Sequence, residues 1–391
     1  MVTLCTSQGL PTKNVTIVLF LTVWTILLTS FSRVYSATDA DANEHRLFGT
    51  LYGHPPHLLT CQSPDSSNIQ DRYGYLRSRK YNIMIGGNTH NTEFLLPTQI
   101  KAFTALMDFL PESSFGFSVH ESGSTDRTGR VLTEILIPLL QFRKVKSSEI
   151  FITTTKEGPK WNADPDKRIP LLVDLRNLVI SPLWKTRVQY DMLLFFNDIW
   201  FCIEDLLELI HQHVQQSADI TCAFDWHPNF HNKFYDTWVA RDITGSMIWD
   251  GYTDHFGHHA ESERRYKQRL PIQVYSCWNG MLIFDPSPLY KDVKFRNPDV
   301  KKGECRESEA ARICKDYWMV DKGKIQMVPS VAVAYAEDRY LLGKSEWWAP
   351  TMSVEEDEKI KWRKAPEKAK CIEMFNGTYL WNSDDWRRTH L

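Results

Sequence analysis

The sequence predicts an α/β domain built around a largely parallel sheet with covering helices. From residue 81 onward, short apolar runs typical of strands alternate with longer stretches of helical periodicity. Alternation of strand and helix along a chain favours a parallel sheet with helices on its faces. The length of 391 residues allows two small domains or one large domain, and we expect one large domain.

The first half of this domain carries the clearest pattern. Its strands are short apolar runs, and its helices repeat apolar residues at spacings of three and four. The predicted elements are strand 81–85, helix 97–110, strand 115–119, helix 128–142, strand 150–154, helix 171–180, strand 192–196, helix 204–215 and strand 220–224.

The second half is less regular. We predict a strand at 281–284, a helix at 307–315 and a pair of strands at 325–328 and 331–335. The residues that follow are charged and carry a formal N-glycosylation sequon at Asn376, so we predict a peripheral C-terminal segment.

An uncharged apolar run at 15–31, between Lys13 and Arg33, is just long enough to cross a bilayer as a helix. A cleaved signal peptide is the alternative, because small residues follow the run. Both alternatives place the domain in the secretory lumen. The predicted division is a cytosolic tail at 1–13, a transmembrane signal-anchor at 14–33, a stem at 34–80, the main domain at 81–346 and the C-terminal segment at 347–391.

Composition narrows the class of partner. The eight cysteines include no C-x-x-C pair, which argues against structural zinc and favours some intrachain disulfides in an oxidising compartment. Seven of them follow the apolar run and cannot all pair within the chain.

The net charge of -2 gives no basic field, so we expect no nucleic-acid partner. The G-x-S-x-G, Walker and H-E-x-x-H motifs are absent from the sequence, which excludes the commonest hydrolases and NTPases.

Ligands of parallel sheets bind beyond the carboxyl ends of the strands, so polar residues there are candidates for a site. The loop after the second strand contains Glu121, Ser122 and Asp126 and leads into a helix. Its carboxylates suit a base or ribose, and the first helical amides suit phosphate. The alternative, that these residues only cap the helix, has equal weight.

Asn197 and Asp198 follow the most apolar strand and are predicted to lie at the same edge. A carboxylate there is placed to hold Mg²⁺ or Mn²⁺ against the phosphates of a nucleotide-sugar. A plain turn residue is the alternative. Arg168 and Arg176, on the preceding helix, suit bidentate contacts to phosphate, or else surface salt bridges.

Two further stretches are candidates. Asp225 follows a strand, and the run Trp278-Asn279-Gly280 precedes another. An aromatic face and an amide suit a sugar, although a core tryptophan is the alternative. The histidines at 255, 258 and 259 suit a metal, but the adjacent charges favour a solvated loop.

Several short motifs occur together in the body of the chain. They are Glu121 to Thr128, Arg176-Asn177, Phe196-Asn197-Asp198, Tyr235-Asp236-Thr237-Trp238, Arg241-Asp242 with Gly245, the run 275–281, Cys305 with Ser308-Glu309, and Cys314-Lys315-Asp316. This set resembles nucleotide-sugar transferases of the GT-A type and, more narrowly, the fungal capsule-associated α-1,3-mannosyltransferases of glycosyltransferase family 69. The resemblance covers roughly residues 81–335.

The resemblance implies a GT-A-like fold with a Rossmann-type nucleotide-binding sheet, in a single-pass type II protein of the fungal Golgi or ER membrane. It implies transfer of mannose from GDP-mannose, with Mn²⁺ or Mg²⁺, to a mannose-containing glycan or glycolipid through an α-1,3 linkage. Such an enzyme would serve cell-wall or capsule polysaccharide synthesis.

The resemblance also assigns roles to residues. Glu121, Ser122, Asp126, Arg176 and Asn197 are expected to bind the donor. Asp198 is expected to bind the metal. The sugar or acceptor is expected to contact Trp278, Asn279 and Gly280. Catalysis or acceptor orientation is expected of Asp225, Asp242 and Glu309.

The sequence departs from the wider pattern of two acids separated by one residue, because it has Asn197-Asp198-Ile199 there. The metal would then be bound more weakly, completed by another acid such as Asp225, or absent. Two alternatives remain open: a non-catalytic glycan-binding or accessory protein of a Golgi complex, and a transferase for another donor such as a UDP-sugar.

Overall fold

A computed structural model describes residues 41–155, 165–230, 233–249, 255–347, 358–375, 378–381 and 384–390. The chain divides into two compact units, Met1–Pro56 and His57–Leu391. In the first unit, residues 41–52 form helix α1. The predicted tail and transmembrane anchor lie outside the described residues. Among the residues that are described, no helix combines the length and the apolar character needed to cross a membrane.

The second unit is a mixed α/β domain around a large central sheet. Nine strands lie in the order β3-β2-β1-β4-β8-β5-β9-β7-β6. The strands are β1 (Asn82–Thr89), β2 (Ser114–Glu121), β3 (Ile150–Thr154), β4 (Met192–Phe196), β5 (Ile220–Trp226), β6 (Arg241–Asp242), β7 (Ile272–Ser276), β8 (Met281–Phe284) and β9 (Ile325–Ala334).

The sheet is parallel on one side and mixed on the other. Strands β3, β2, β1 and β4 are mutually parallel, as predicted. Strand β8 runs antiparallel between β4 and β5, and β7 runs antiparallel to β9 and β6. The prediction of a largely parallel sheet is therefore confirmed for the first half of the domain and wrong for the second.

The helices complete the domain. Their bounds are α2 (Ser67–Tyr73), α3 (Leu96–Phe109), α4 (Thr128–Val131), α5 (Ile137–Phe142), α6 (Pro165–Ile180), α7 (Pro182–Lys185), α8 (Ile203–Gln216), α9 (Ala260–Lys267), α10 (Glu309–Met319) and α11 (Glu337–Trp347). A π-helical turn, Leu132–Leu136, separates α4 from α5. Pro138 follows that turn and has no N–H to continue the α-helical ladder, which accounts for the break in the predicted helix 128–142.

The predicted elements of the first half are present with shifts of a few residues. In the second half, the two strands predicted at 325–328 and 331–335 form one strand, β9, whose pairing with β5 shifts between Cys222 and Phe224. The stretch around the histidines at 255, 258 and 259, predicted as a solvated loop, is followed directly by α9, which carries ion pairs between Arg264 and Glu261 and between Lys267 and Glu263. Because five of its eight residues are charged, no apolar periodicity identified this helix.

Residues 57–80, predicted as part of a stem, are folded onto the domain. The side chains of Ile69 and Leu76 are buried. Arg72 forms a buried ion pair of 2.7 Å with Glu208 of α8, and the Tyr73 hydroxyl donates to the same carboxylate at 2.9 Å. The prediction of a linker is wrong here because scattered apolar side chains and polar contacts to residues distant in sequence fix this segment, and neither gives a sustained periodicity.

The segment after α11, predicted as peripheral, also belongs to the domain. Trp238 Nε1 donates to the carbonyl of Ile372 at 2.8 Å, and Arg241 Nε donates to that of Lys370 at 2.7 Å. Two small hairpins form there, in which β10 (Lys368–Lys370) pairs with β13 (Trp386–Arg388) and β11 (Met374–Phe375) pairs with β12 (Thr378–Tyr379). The sequon residue Asn376 lies outside the described residues.

Three disulfides join distant parts of the domain. They link Cys61 with Cys202, Cys222 with Cys277 and Cys305 with Cys371. Cys314 is free and buried. The expectation of intrachain disulfides with one or more cysteines left over is confirmed.

Candidate active site

The loops that follow β1, β2, β4, β5 and β9 meet at one edge of the sheet. The strand register fixes this arrangement: Thr89 is level with Glu121, Gly87 with Phe196, and Trp226 with Ala334. The turn before β8 reaches the same edge because β8 is antiparallel to β4, with Met281 opposite Phe196. This edge collects most of the candidate residues.

The loop after β2 is braced by its own carboxylates. Glu121 accepts a hydrogen bond of 2.5 Å from the amide of Ser124. Asp126 accepts from the amide of Thr128 at 2.9 Å and from that of Glu93 at 3.1 Å. Both side chains therefore hold loop backbone, as the capping alternative predicts. Ser122 is buried, and its carbonyl oxygen contacts Nδ1 of His90 at 2.8 Å.

The backbone at Asn197 and Asp198 is fixed from two sides. The amide of Asn197 donates to the carbonyl of Gly280 at 2.9 Å. Gln99 of α3 donates to the carbonyls of Asn197 and Ile199 at 3.1 and 2.9 Å. The Asp198 side chain is exposed, yet surrounding protein raises its pKa by desolvation, against the lowering effect of His90. Asp198 is therefore a solvent-accessible carboxylate with protein packed closely around it.

The turn before β8 is a structural support. Asn279 and Gly280 both have left-handed backbone, with φ of 56° and 74°. The Asn279 side-chain amide donates to the carbonyl of Ala223 at 2.6 Å, and its backbone amide donates to Asp236 at 3.0 Å. Trp278 and Asn279 are buried. Core packing already encloses the side chains of Trp278 and Asn279, which support the turn, and a contact of this trio with sugar stays a prediction.

Arg176 lies inside the domain behind this turn. Its guanidinium carbon is 3.7 Å from the centre of the Trp278 ring, and the group is ion-paired with Glu309 of α10. Burial lowers the pKa of Arg176, although Glu309 and Asp236 act in the opposite direction. Arg176 and Glu309 therefore offset each other's charge, and the expected contact between Arg176 and a diphosphate is not prepared in this arrangement.

Asn177, the neighbour of Arg176, is also structural. Its side-chain amide exchanges two hydrogen bonds with the backbone of Phe295, at 2.8 and 3.1 Å. The pair Arg176-Asn177 thus anchors α6 to the interior of the domain.

Asp225 and Asp236 form the acidic centre of the edge. Asp225 is fully buried, and neither carboxylate oxygen has a hydrogen-bond partner among the described residues. Burial raises the pKa of Asp225, and the negative charge of Asp236 raises it further. Burial also raises the pKa of Asp236, against the opposing effects of the Asn279 amide and of Arg176.

Tyr335, just after β9, shows that a third acid belongs to this group. Burial raises the pKa of Tyr335, and the charges of Asp225, Asp198 and Asp236 add to the rise. We call Asp198, Asp225 and Asp236 the acidic triad. Asp236 was part of a sequence motif but was not identified as a site residue, because it lies in an irregular loop and follows no predicted strand.

Asp242 does not share this environment. Its carboxylate accepts from the amide of Thr244 at 2.7 Å, from the Thr244 hydroxyl at 2.6 Å and from the amide of Ser246 at 3.0 Å. These bonds close the tight turn at Gly245, which has φ of 84°. The expectation of a catalytic role for Asp242 is therefore replaced by a structural one.

The acidic triad fits a divalent cation in its chemistry. Mg²⁺ and Mn²⁺ prefer oxygen ligands and are often held by one or two carboxylates plus substrate phosphate. The unpartnered oxygens of buried Asp225 need a proton or a cation as compensation. Within the described ranges, the groups of three potential ligands whose atoms lie within 4.8 Å of one another each contain a disulfide, and the acidic triad is not among them.

The histidines at 255, 258 and 259 have other partners. His255 Nδ1 contacts the carbonyl of Trp249 at 2.6 Å, and His258 accepts from the indole N–H of Trp249 at 3.0 Å. His259 accepts from the amide of Ser262 at 3.3 Å and caps α9. Each of the three histidine rings therefore already contacts a neighbouring residue.

Comparison with known proteins identifies the family of this chain. A protein-family model described as Cryptococcal mannosyltransferase 1 matches residues 82–316. The alpha-1,3-mannosyltransferase CMT1 of Cryptococcus neoformans var. neoformans serotype D is 33% identical over 363 residues, which cover 86% of this chain and 77% of that protein.

Similarity to solved structures is distant. The structure of S. aureus TarS 1-349 in complex with UDP aligns with a TM-score of 0.37 and 13% identity, over 63% of this chain and 57% of that one. The mannosyltransferase PcManGT from Pyrobaculum calidifontis, solved with GDP-Man and Mn²⁺, aligns with a TM-score of 0.34 and 10% identity, over 80% of this chain and 67% of that one. The chain thus spans less than two thirds of the TarS structure.

Proposed function

Because the chain belongs to the Cryptococcal mannosyltransferase 1 family and is a mannosyltransferase, we propose that it transfers mannose from GDP-mannose to a glycan acceptor and forms an α-1,3 linkage. The linkage is that named for the relative with 33% identity. The observation that carries the proposal is the acidic triad at the carboxyl edge of the sheet, with buried Asp225 unpartnered at its centre. We further propose that the domain has a GT-A-like fold, supported by its parallel β3-β2-β1-β4 half.

The first proposed role of the triad is to bind a divalent cation, Mn²⁺ or Mg²⁺, through Asp198 and Asp225. A bound cation would neutralise the diphosphate that leaves with the nucleotide. Asp198 is exposed and Asp225 lacks partners, so one carboxylate is accessible to the donor and the other needs compensation. Asp225 takes the place of the second acid that the Asn197-Asp198-Ile199 sequence lacks.

The second proposed role falls to Asp236, which is half-buried and therefore reachable by an acceptor. One of its oxygens accepts the Asn279 amide, which fixes the orientation of the carboxyl group. Its raised pKa suits a group that takes a proton from the attacking hydroxyl near neutral pH. Arg176 lowers the pKa of Asp236 and so favours its ionised form, whereas the negative charge of Glu309, the ion-pair partner of Arg176, raises it.

The test uses the protein from residue 37 onward, secreted from a eukaryotic host. It is incubated with GDP-mannose, Mn²⁺ and short α-mannosides, and products are read by mass and linkage analysis. We expect addition of one hexose by the wild type, and loss of at least 100-fold in rate for Asp198→Asn and Asp225→Asn. Asp108→Asn is the matched control, since Asp108 is exposed at the far end of α3 and pairs only with Arg143 among the contacts described.

Three outcomes would contradict the proposal. Transfer from UDP-sugars but not from GDP-mannose would assign another donor. A product with a linkage other than α-1,3 would reject the specificity. Full activity of Asp225→Asn in the presence of a chelator would reject the metal site.

We also propose that residues 14–33 anchor the protein in the Golgi or ER membrane and that the domain faces the lumen. Three disulfides support this, because such bonds persist in oxidising compartments. Glycan attachment at Asn376 reports the orientation: an endoglycosidase shift that Asn376→Gln abolishes is expected. Absence of that shift, together with protease access to the domain in sealed microsomes, would reject the lumenal orientation.

A further inference from the structure

Aromatic side chains of the C-terminal segment lie beside the acidic triad. The ring of Tyr379 is 5.2 Å from that of Trp238 and 4.9 Å from that of Trp381. Trp381 is 37% exposed, and Tyr379 is half-buried. The segment therefore presents two adjoining rings to solvent, one of them supported from behind by a buried tryptophan.

Tyr235 extends this surface from the other side. It is 42% exposed, and its ring centre is 4.8 Å from that of Tyr335. Desolvation and the charges of Asp225 and Asp236 raise the pKa of Tyr235 to about 12. The backbone amide of Tyr235 donates to the carbonyl of Asp225 at 3.0 Å, so Tyr235 adjoins the triad while much of its side chain remains accessible.

Arg168 of α6 joins the two groups of rings. It is hydrogen-bonded to the Tyr379 side chain, and its charge also acts on Tyr235. The charge of Asp236 acts on the hydroxyls of both tyrosines. Tyr235 and Trp238 lie in the same loop as Asp236, and Tyr379 packs against Trp238. The rings of Tyr235, Tyr379 and Trp381 therefore flank the loop that carries Asp236.

A surface of exposed aromatic rings of this kind is expected to bind a ligand. Aromatic faces and their C–H edges pack well against the apolar faces of pyranose rings, while tyrosine hydroxyls and the indole N–H bond to sugar hydroxyls. Grouped exposed aromatic side chains are typical of binding sites. Trp278, the tryptophan that sequence suggested for this task, is enclosed in the core and is not available.

We propose that Tyr235, Tyr379 and Trp381 form the acceptor subsite and stack on the hexose rings of a neutral oligosaccharide, directing its terminal hydroxyl to Asp236. This inference rests on the proposed transferase function. It assigns acceptor recognition to the C-terminal segment, which the match to residues 82–316 does not include. Each ring would contribute mainly to acceptor binding rather than to the chemical step.

The experiment measures acceptor KM and kcat for α-mannosides of one to four residues at saturating GDP-mannose. We expect Trp381→Ala and Tyr379→Ala each to raise acceptor KM roughly 3- to 10-fold, with a smaller change in kcat and unchanged affinity for GDP. Trp381→Phe and Tyr379→Phe should recover most of the loss. Trp386→Ala is the matched control, because Trp386 is 38% exposed but packs with Lys370 on the other hairpin.

Unchanged KM in both alanine variants, or an equal rise in Trp386→Ala, would overturn the subsite. A second measurement separates this failure from failure of the proposed donor or linkage. Saturation-transfer NMR with mannotetraose, in the absence of donor, is expected to show binding that Trp381→Ala weakens. If wild type transfers no mannose but binds the glycan through Trp381, the acceptor subsite stands and the proposed donor is wrong. If wild type transfers mannose and Trp381→Ala binds the glycan normally, the proposed acceptor subsite is wrong. Binding of a protein partner with no effect on glycan binding would also reject it.

Discussion

The burial of Asp225 lowers the stability of the folded protein. It is fully buried, its oxygens have no hydrogen-bond partner among the described residues, and Asp236 lies nearby. Leaving a buried acceptor unsatisfied costs about 1–3 kcal/mol, and more for a charged group. Groups retained at such a cost are common at functional sites, where stability is exchanged for activity.

We predict that Asp225→Asn is more stable than wild type at neutral pH and inactive. The raised pKa means that the folded state holds its proton more tightly than the unfolded state. Stability therefore falls as pH rises from the unfolded value, about 3.9, through the raised folded value. The difference in Tm between variant and wild type should be small near pH 4 and should grow toward pH 8.

Thermal unfolding across this pH range checks the sign. Addition of Mn²⁺ at pH 7.5 should stabilise wild type and leave Asp225→Asn unchanged, since the variant lacks the charged ligand. A variant that is less stable than wild type at every pH would contradict the cost assigned to Asp225.

Gly280 controls the position of Asp198 through the backbone. Its φ of 74° disfavours any side chain, and a Cβ there would lie 2.9 Å from Cγ2 of Ile199. We predict that Gly280→Ala costs about 1–3 kcal/mol of stability and lowers kcat, because Ile199 adjoins Asp198, the proposed metal ligand. Urea unfolding and kinetics check this. Gly49→Ala, where no atom lies within 4 Å of the added Cβ, is the control.

Sequence reasoning located Asp198 and Asp225 because both follow buried strands, and parallel strand ends share an edge. It did not identify Asp236, whose position depends on a loop held by Asn279. It also favoured solvent-facing roles for Arg176 and Trp278, which pack on each other in the interior. Only tertiary packing decides whether a tryptophan or an arginine faces the ligand. The roles of the donor-binding candidates stay predictions.

At the scale of elements, short strands made of consecutive apolar or β-branched residues were predictable. Strands β3, β4 and β8 coincide with their predicted bounds because each is a short, strongly apolar or β-branched run. Helix α9 and the segment 57–80 were missed because ion pairs and a disulfide, rather than an apolar stripe, hold them.

Helix α8 contains a buried acid-labile contact. His213 Nδ1 contacts the Thr221 hydroxyl of β5 at 2.9 Å, and burial lowers the pKa of His213 to about 4. The unfolded state therefore binds the proton more tightly, and the stability present above pH 6.5 is lost as pH falls toward 4. We predict a loss of roughly 3 kcal/mol from this group.

The measurement is chemical unfolding between pH 7 and 4 for wild type and His213→Gln, since glutamine can still bond to Thr221. The variant should lose less stability over this range. His54→Gln replaces an exposed histidine and should behave as wild type. Parallel pH profiles for wild type and His213→Gln would contradict the assignment.

At the scale of the whole domain, one disulfide connects the site to the C-terminal segment. Cys305 precedes α10, whose Glu309 pairs with Arg176, and Cys371 precedes the hairpin that carries Tyr379. Gly245 reinforces the connection, because its carbonyl accepts from the amide of Lys370 at 2.8 Å. The acidic triad is thus held by the sheet, and the proposed acceptor subsite is held by a segment tied to it covalently.

We predict that replacing Cys305 and Cys371 together by serine weakens acceptor recognition more than donor binding. The bond spans 66 residues, and the loop-entropy estimate for that separation is roughly 4 kcal/mol. Hydrogen exchange should increase in residues 366–375 and leave β1 to β4 protected, since no part of that disulfide touches those strands. Acceptor KM should rise while GDP affinity is kept, as measured by kinetics and calorimetry. A uniform increase in hydrogen exchange across the sheet would instead mean that the C-terminal segment supports the whole domain. An unchanged acceptor KM, together with increased exchange in residues 366–375, would mean that this segment takes no part in substrate recognition.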